Sequence, residues 1–173
     1  MTSSHGLSTE ALVDRFGRLL YAYAFRMTAS SADAEDIVQN VFLRAMQNQG
    51  SIAQASNIQA YLFAMVRNET SKWMMRNKRM KTIEDIDSVT NNDVSETSGI
   101  DHDWLQIGLM KLPDAFRRIL LMFYFEDASY KEIADAMDVP IGTVMSRLSR
   151  AKQALKDHLT QSESSSFRNG IQS

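Results

Sequence analysis

Residues 129–156 read Ser129-Tyr-Lys-Glu-Ile-Ala-Asp-Ala-Met-Asp-Val-Pro-Ile-Gly-Thr-Val-Met-Ser-Arg-Leu-Ser-Arg-Ala-Lys-Gln-Ala-Leu-Lys156. The spacing predicts a short helix from about Tyr130 to Met137, a tight turn at Met137-Asp138-Val139, and a longer helix from about Ile141. Ala134 is small where two helices must cross closely, and Ile133, Val139, Val144 and Leu148 are spaced to fill the angle between them. That is helix-turn-helix geometry, in which the second helix enters a DNA major groove. Its outward residues are Thr143, Met145, Ser146, Arg147 and Arg150. Arginine on such a face bonds guanine in a bidentate manner or grips phosphate. A plain helical hairpin is the bland alternative on spacing alone.

Helical periodicity also governs the rest of the chain. Leu12, Phe16, Leu19, Leu20, Tyr23 and Met27 form one stripe. Ala34, Ile37, Val38, Val41, Phe42, Ala45 and Met46 form a second, with Ser30 or Ser31 as the N-cap before it. A third helix starts with Ile58, Tyr61, Leu62, Met65 and Val66 and runs to about Lys78. These three stripes are wide enough to bury one another, which predicts a helical domain over 8–81. Residues 82–103 are rich in Asp, Asn, Ser and Thr, lack periodicity, and read as a flexible acidic linker. Periodicity returns over 104–160, with Phe116, Ile119, Leu120, Phe123 and Tyr124 as its first stripe. Pro113 and Pro140 each stand at an expected first helical position. A polar tail, 161–173, is expected to be disordered. The fold class is therefore all-α, with two small helical domains joined by a linker.

Charge follows the same division. The net charge of −2 conceals six basic residues against one acid between Arg67 and Lys81, and seven acids without a base between Thr82 and Asp103. From Thr143 to Lys156 there are four basic residues and no acid. Two cationic patches separated by an acidic strip suit two DNA-contacting elements, although solvated helix faces carry such charges as a rule. Cysteine is absent, which excludes disulfides and thiolate chemistry and fits a reducing cytoplasm. No apolar run reaches the ~20 residues of a membrane span, and no signal peptide is legible. The three histidines are scattered and no catalytic motif occurs, so neither an enzyme nor a cofactor or metal site is expected.

Two further faces have a chemical character. On the 31–47 helix, Asp36, Gln39, Asn40, Leu43 and Gln47 recur at spacings of three and four. One leucine among hydrogen-bonding groups suits protein docking better than catalysis. On the third helix, Asn68, Lys72, Trp73, Arg76 and Arg79 combine cations with an aromatic ring, a set that holds phosphates and stacks on an unpaired base. A tryptophan on an amphipathic helix is more often a core residue than a stacking platform, so Trp73 is the least secure member of this set.

Ser129–Lys152 resembles region 4.2 of the extracytoplasmic-function (ECF) sigma factors, and Leu112–Leu121 resembles region 4.1. Asp33–Ala45 is similar to region 2.2, while Ala60–Asn68 and Arg76–Arg79 are similar to regions 2.3 and 2.4. The resemblance implies an alternative sigma factor that binds RNA polymerase core and directs promoter-specific initiation. It assigns Asp36, Gln39, Asn40 and Leu43 to docking on the β′ clamp helices, and a further contact to the β flap. It assigns Asn68, Lys72, Trp73, Arg76, Arg79 and the loop at about 49–57 to the −10 element. Thr143, Met145, Ser146, Arg147 and Arg150 go to the −35 element, and an anti-sigma factor becomes an expected partner. Two departures stand out. Asp138 occupies a turn position where the family usually has glycine, and Met145 stands where lysine is frequent. The rival reading is a helix-turn-helix regulator acting without polymerase core, which leaves residues 8–81 unexplained.

Overall fold

The computed structural model describes residues 8–84 and 104–169, and every described element is an α-helix or a connection between helices. The chain divides into two compact units, Met1–Thr97 and Ser98–Ser173.

In the first unit α1 spans Thr9–Thr28, α2 Ser31–Gln47, α3 Gln49–Gln54 and α4 Ile58–Glu84. Short polar side chains set where these helices begin. Ser8 Oγ accepts from the Ala11 N–H and Ser30 Oγ from the Asp33 N–H, each at 3.2 Å. Asn57 Oδ1 accepts from the Ala60 N–H at 3.0 Å. These bonds satisfy amide groups that have no partner inside the helix. Ser30, not Ser31, is thus the cap of α2. Ala29 ends α1 in the left-handed conformation, φ 55°, with its N–H donating to the Phe25 carbonyl.

α1 packs on α2 and α4, and α2 packs on α4. Leu20, Tyr23 and Met27 of α1, Val41 of α2, and Leu62, Phe63 and Val66 of α4 are fully or almost fully buried. Phe63 meets Tyr23 edge to face, with centroids 5.6 Å apart. Leu19 and Met46, assigned above to the buried stripes, are 42% and 46% exposed. Each lies at the margin of its stripe, where a 3.6-residue period turns the side chain past its neighbour. The expected loop at 49–57 contains α3, whose Ile52 is buried. α4 runs on through Thr82, Ile83 and Glu84, beyond the expected end of the domain. Propagating an existing helix adds one hydrogen bond per residue and needs no new nucleus. The rest of the expected linker, 85–103, lies outside the described residues.

In the second unit α5 spans Trp104–Met110, α6 Asp114–Phe125, α7 Tyr130–Met137 and α8 Ile141–Asn169. α8 packs against the other three. Its Val144, Leu148 and Ala151 meet Ile119, Leu120 and Met122 of α6 and Ile133 and Ala134 of α7 in one core. Tyr124, expected in that core, is 63% exposed. Pro113 sits one position earlier than expected, as the N-cap of α6, and its carbonyl accepts from Phe116 and Arg117. Pro140 likewise precedes the first helical residue, Ile141. The backbone of 161–169 continues α8 where a disordered tail was expected. Residues 170–173 lie outside the described residues.

Gly108 shows why α5 and α8 approach so closely. A Cβ at that position would stand 2.9 Å from Leu159 Cδ2 and 3.2 Å from Leu155 Cδ1. The side chains of α8 occupy the space that any larger residue on α5 would need.

Candidate nucleic-acid interface

The geometry of the second unit starts from the cap of α7. Ser129 Oγ accepts from the Glu132 N–H at 3.3 Å, and Glu132 Oε2 accepts from the Ser129 N–H at 2.8 Å and from its hydroxyl at 2.7 Å. This reciprocal capping box holds the entry to the helix-turn-helix. The Ser129 hydroxyl bond, and then its backbone N–H, hold the Glu132 carboxyl below its ordinary value. A carboxyl depressed by folding stabilises above its unfolded value and loses that contribution as pH falls through the folded value. Glu132→Gln should therefore lower thermal stability at pH 7, and the difference should close as pH falls below the ordinary glutamate range. Parallel melts of the two proteins at successively lower pH test this, and a gap that does not narrow as pH falls rejects it.

At the far end of α7, Asp138 adopts φ 52°, ψ 52°. Aspartate tolerates the left-handed region better than most residues, so the turn forms without the family's usual glycine. The Val139 N–H donates back to the Ala134 carbonyl at 3.1 Å. Ala134 is 5% exposed between the helices, as its size requires. α8 then presents Met145, Ser146 and Arg150 to solvent, with Thr143 and Arg147 half-buried at the edge of the same surface. The Ser146 hydroxyl donates to the Thr143 carbonyl at 3.0 Å, which leaves its oxygen outward as an acceptor. Lys152 is different from the other cations of the stretch. Its Nζ lies 4.7 Å from the Phe123 ring centroid and 5.5 Å from that of Tyr124, and it ties α8 to α6.

In the first unit, Asp36, Gln39, Asn40 and Gln47 are exposed on α2, and Leu43 is 55% exposed among them. Met46 extends that apolar point by three residues. On α4, Asn68, Lys72 and Arg76 are exposed and Trp73 is half-buried. The Arg79 side chain lies outside the described residues. One feature joins the two helices and was not legible in sequence. Glu69 is 8% exposed, and its Oε1 lies 2.6 Å from an Arg44 guanidinium nitrogen on α2 and 3.0 Å from Lys72 Nζ. The Glu69–Lys72 spacing of three is a local signal for an ion pair. The Arg44–Glu69 pair spans 25 positions, and no periodic pattern announces it.

Among the described residues, no cluster of three or more His, Asp or Glu side chains is placed to hold a metal ion. No described helix is long and apolar enough to cross a membrane.

The sigma-70 region 2 family model matches residues 12–80, and the sigma-70 region 4 model matches residues 103–155. The ECF RNA polymerase sigma factor SigM of Bacillus subtilis (strain 168) is 31% identical over 141 residues, covering 79% of this chain and 86% of that protein. SigE of Mycolicibacterium smegmatis, an ECF sigma factor too, is 30% identical over 165 residues. The match takes in 91% of this chain and 63% of SigE, so the chain spans under two thirds of that relative. Among solved structures, the sigma factor RpoE in complex with the anti-sigma factor NepR from Bartonella quintana superposes with a TM-score of 0.68. That pair is 26% identical, covering 87% of this chain and 95% of RpoE. The chain belongs to the sigma-70 family, as an ECF RNA polymerase sigma factor, an alternative sigma factor that directs transcription initiation. A helix-turn-helix regulator independent of polymerase would account for 103–155 and not for 12–80.

Proposed function

We propose that the two units divide promoter selection between them, with residues 8–81 and 104–160 as the working domains. Asp36, Gln39, Asn40 and Leu43 dock on the β′ clamp helices of RNA polymerase core. Asn68, Lys72, Trp73, Arg76 and Arg79, with α3 and the turn after it, recognise and melt the −10 element. Thr143, Met145, Ser146, Arg147 and Arg150 meet the −35 element in duplex form, and the second unit engages the β flap. The factor works in the cytoplasm, has no catalysis of its own, and is held inactive by an anti-sigma factor that covers these faces. RpoE of Bartonella quintana, captured with NepR, supports that last point by similarity.

The observation that carries the reading is Leu43. It stands 55% exposed on the outer face of α2, with exposed Asp36, Gln39 and Asn40 before it and exposed Met46 and Gln47 after it, while Val41 and Ala45 of the same helix are buried. Exposed apolar side chains bordered by hydrogen-bonding groups are the anatomy of an interface centre. The test is run-off transcription from pooled genomic fragments, using core polymerase with and without this protein. New starts that share two spaced upstream elements are expected. Asp36→Ala combined with Gln39→Ala should weaken core binding about tenfold, ~1.4 kcal/mol, with helicity unchanged because the face is solvent-directed. Absence of new starts, with specific duplex binding by the protein alone, would favour an independent regulator instead.

A further inference from the structure

We propose that the leading turn of α8 reads thymine 5-methyl groups in the DNA major groove through Met145 and Ile141, against a helix surface that Gly142 keeps bare. This rests on the reading of α8 as the −35 element's contact, and deepens it by naming the chemical group recognised.

Ile141 is 47% exposed and Met145 54% exposed. They are one helical turn apart and therefore share a face. Both leave the core to Val144 and Leu148, which are 0% and 2% exposed. Gly142, one turn before Met145 and beside it on the helix surface, is exposed, and an added Cβ there would find nothing within 4 Å. At position 108 a Cβ would press the terminal methyls of Leu159 and Leu155, at 2.9 and 3.2 Å, whereas at 142 it would meet nothing within 4 Å. A glycine inside a helix is less stable than alanine, so the bare surface at 142 has its use outside the protein, where another backbone or a base edge must come close.

Chemistry narrows what comes there. Residues 141–156 hold four basic side chains and no acid, so the surface faces a polyanion. Arg150 is exposed and Arg147 half-buried along the same helix, positioned for phosphate or guanine. In the major groove the one apolar group on a base edge is the C5-methyl of thymine. A branched alkyl chain makes no hydrogen bond to a base and a thioether is only a weak acceptor, so their main contribution to discrimination is to take that methyl out of water. Burying one methyl against them corresponds to about a fourfold preference.

The experiment uses holoenzyme assembled from polymerase core and the full chain. It is presented with promoter duplexes randomised across the upstream element and synthesised with either thymine or uracil in that window. Uracil keeps every hydrogen-bonding group of thymine and lacks only the methyl. Wild type should enrich thymine at one or two positions and lose about fourfold in affinity at each when uracil replaces it. Met145→Ala should abolish the thymine–uracil difference at its position while leaving core affinity and the other base preferences in place. Gly142→Ala should fold at least as stably as wild type and bind every selected upstream sequence more weakly. Equal binding of thymine and uracil templates by wild type, or a methyl effect undiminished in Met145→Ala, overturns the proposal while the −35 reading stands. If wild type selects no upstream sequence at all, the −35 reading falls and this proposal falls with it.

Discussion

Phe63→Ala should cost the first unit about 3–5 kcal/mol and leave it largely unfolded at 37 °C. Phe63 is 0% exposed and lies at the junction of α1 and α4. Truncation removes the buried ring, opens a cavity beside Tyr23, and forfeits the edge-to-face contact with that residue. Stability of small domains totals only about 5–15 kcal/mol, so a loss of this size takes a large share of it. The second unit has its own core and should keep its helices. Urea titration followed by circular dichroism should therefore show an early transition for the first unit and an unchanged later one for the second. Core binding would vanish here through loss of fold, which separates this variant from the Asp36/Gln39 pair, whose helicity stays whole. A single transition, shifted by only a few tenths of a kcal/mol, would mean that the core sits elsewhere.

The second large effect is expected at Asp114. Arg117 is 4% exposed, with one guanidinium nitrogen 2.7 Å from Asp114 Oδ1 and the other 2.8 Å from Met110 Sδ. Its Nε is buried without a hydrogen-bond partner. Burial pushes the Arg117 pKa below its ordinary value, and the Asp114 charge and hydrogen bond oppose that shift. The guanidinium stays charged at any physiological pH. Asp114→Ala strands that charge inside the protein and removes an acid from the first turn of α6, where the helix dipole favours it. The expected cost is about 3 kcal/mol, the lower end for a broken buried pair because Asp114 keeps a 32% exposed side chain. Adding Arg117→Leu to Asp114→Ala should recover most of the loss, since no charge then remains buried. Thermal melts of the two single variants and the double variant measure the coupling. Additive losses would show that the pair contributes only its separate packing.

Much of the site was legible because helical surfaces obey a local rule. Asp36, Gln39, Asn40 and Leu43 fall on one outward face of α2 by spacing alone, and the buried sequence Ala34, Ile37, Val41, Ala45 marks the face behind it. The turn at Asp138 and the burial of Ile133, Val144 and Leu148 follow from the same periodicity joined to turn chemistry. Stripe margins were harder to place. Leu19, Met46 and Tyr124 fit the period but stand where the neighbouring helix no longer reaches, and the packing angle of that neighbour is not a local quantity.

By itself, then, the sequence determined where the main amphipathic helices run, which face of each is apolar, where a helix-turn-helix lies, and to which family the two motif sets point, but not α3 or the continuation of α8 over 161–169. These properties depend on residues three and four apart. Only the tertiary structure decided that Glu69 joins Arg44 to Lys72 across α2 and α4, that Arg117 is buried against Asp114 and Met110, and that Lys152 turns to the aromatic rings of α6. It also decided that Gly108 lies close against Leu155 and Leu159 of α8 while Gly142 is left open. The physical reason is that a charge or an empty space acquires its partner only when two helices meet at a particular distance and angle. That meeting is set by the sum of core contacts, and no spacing along one helix encodes it.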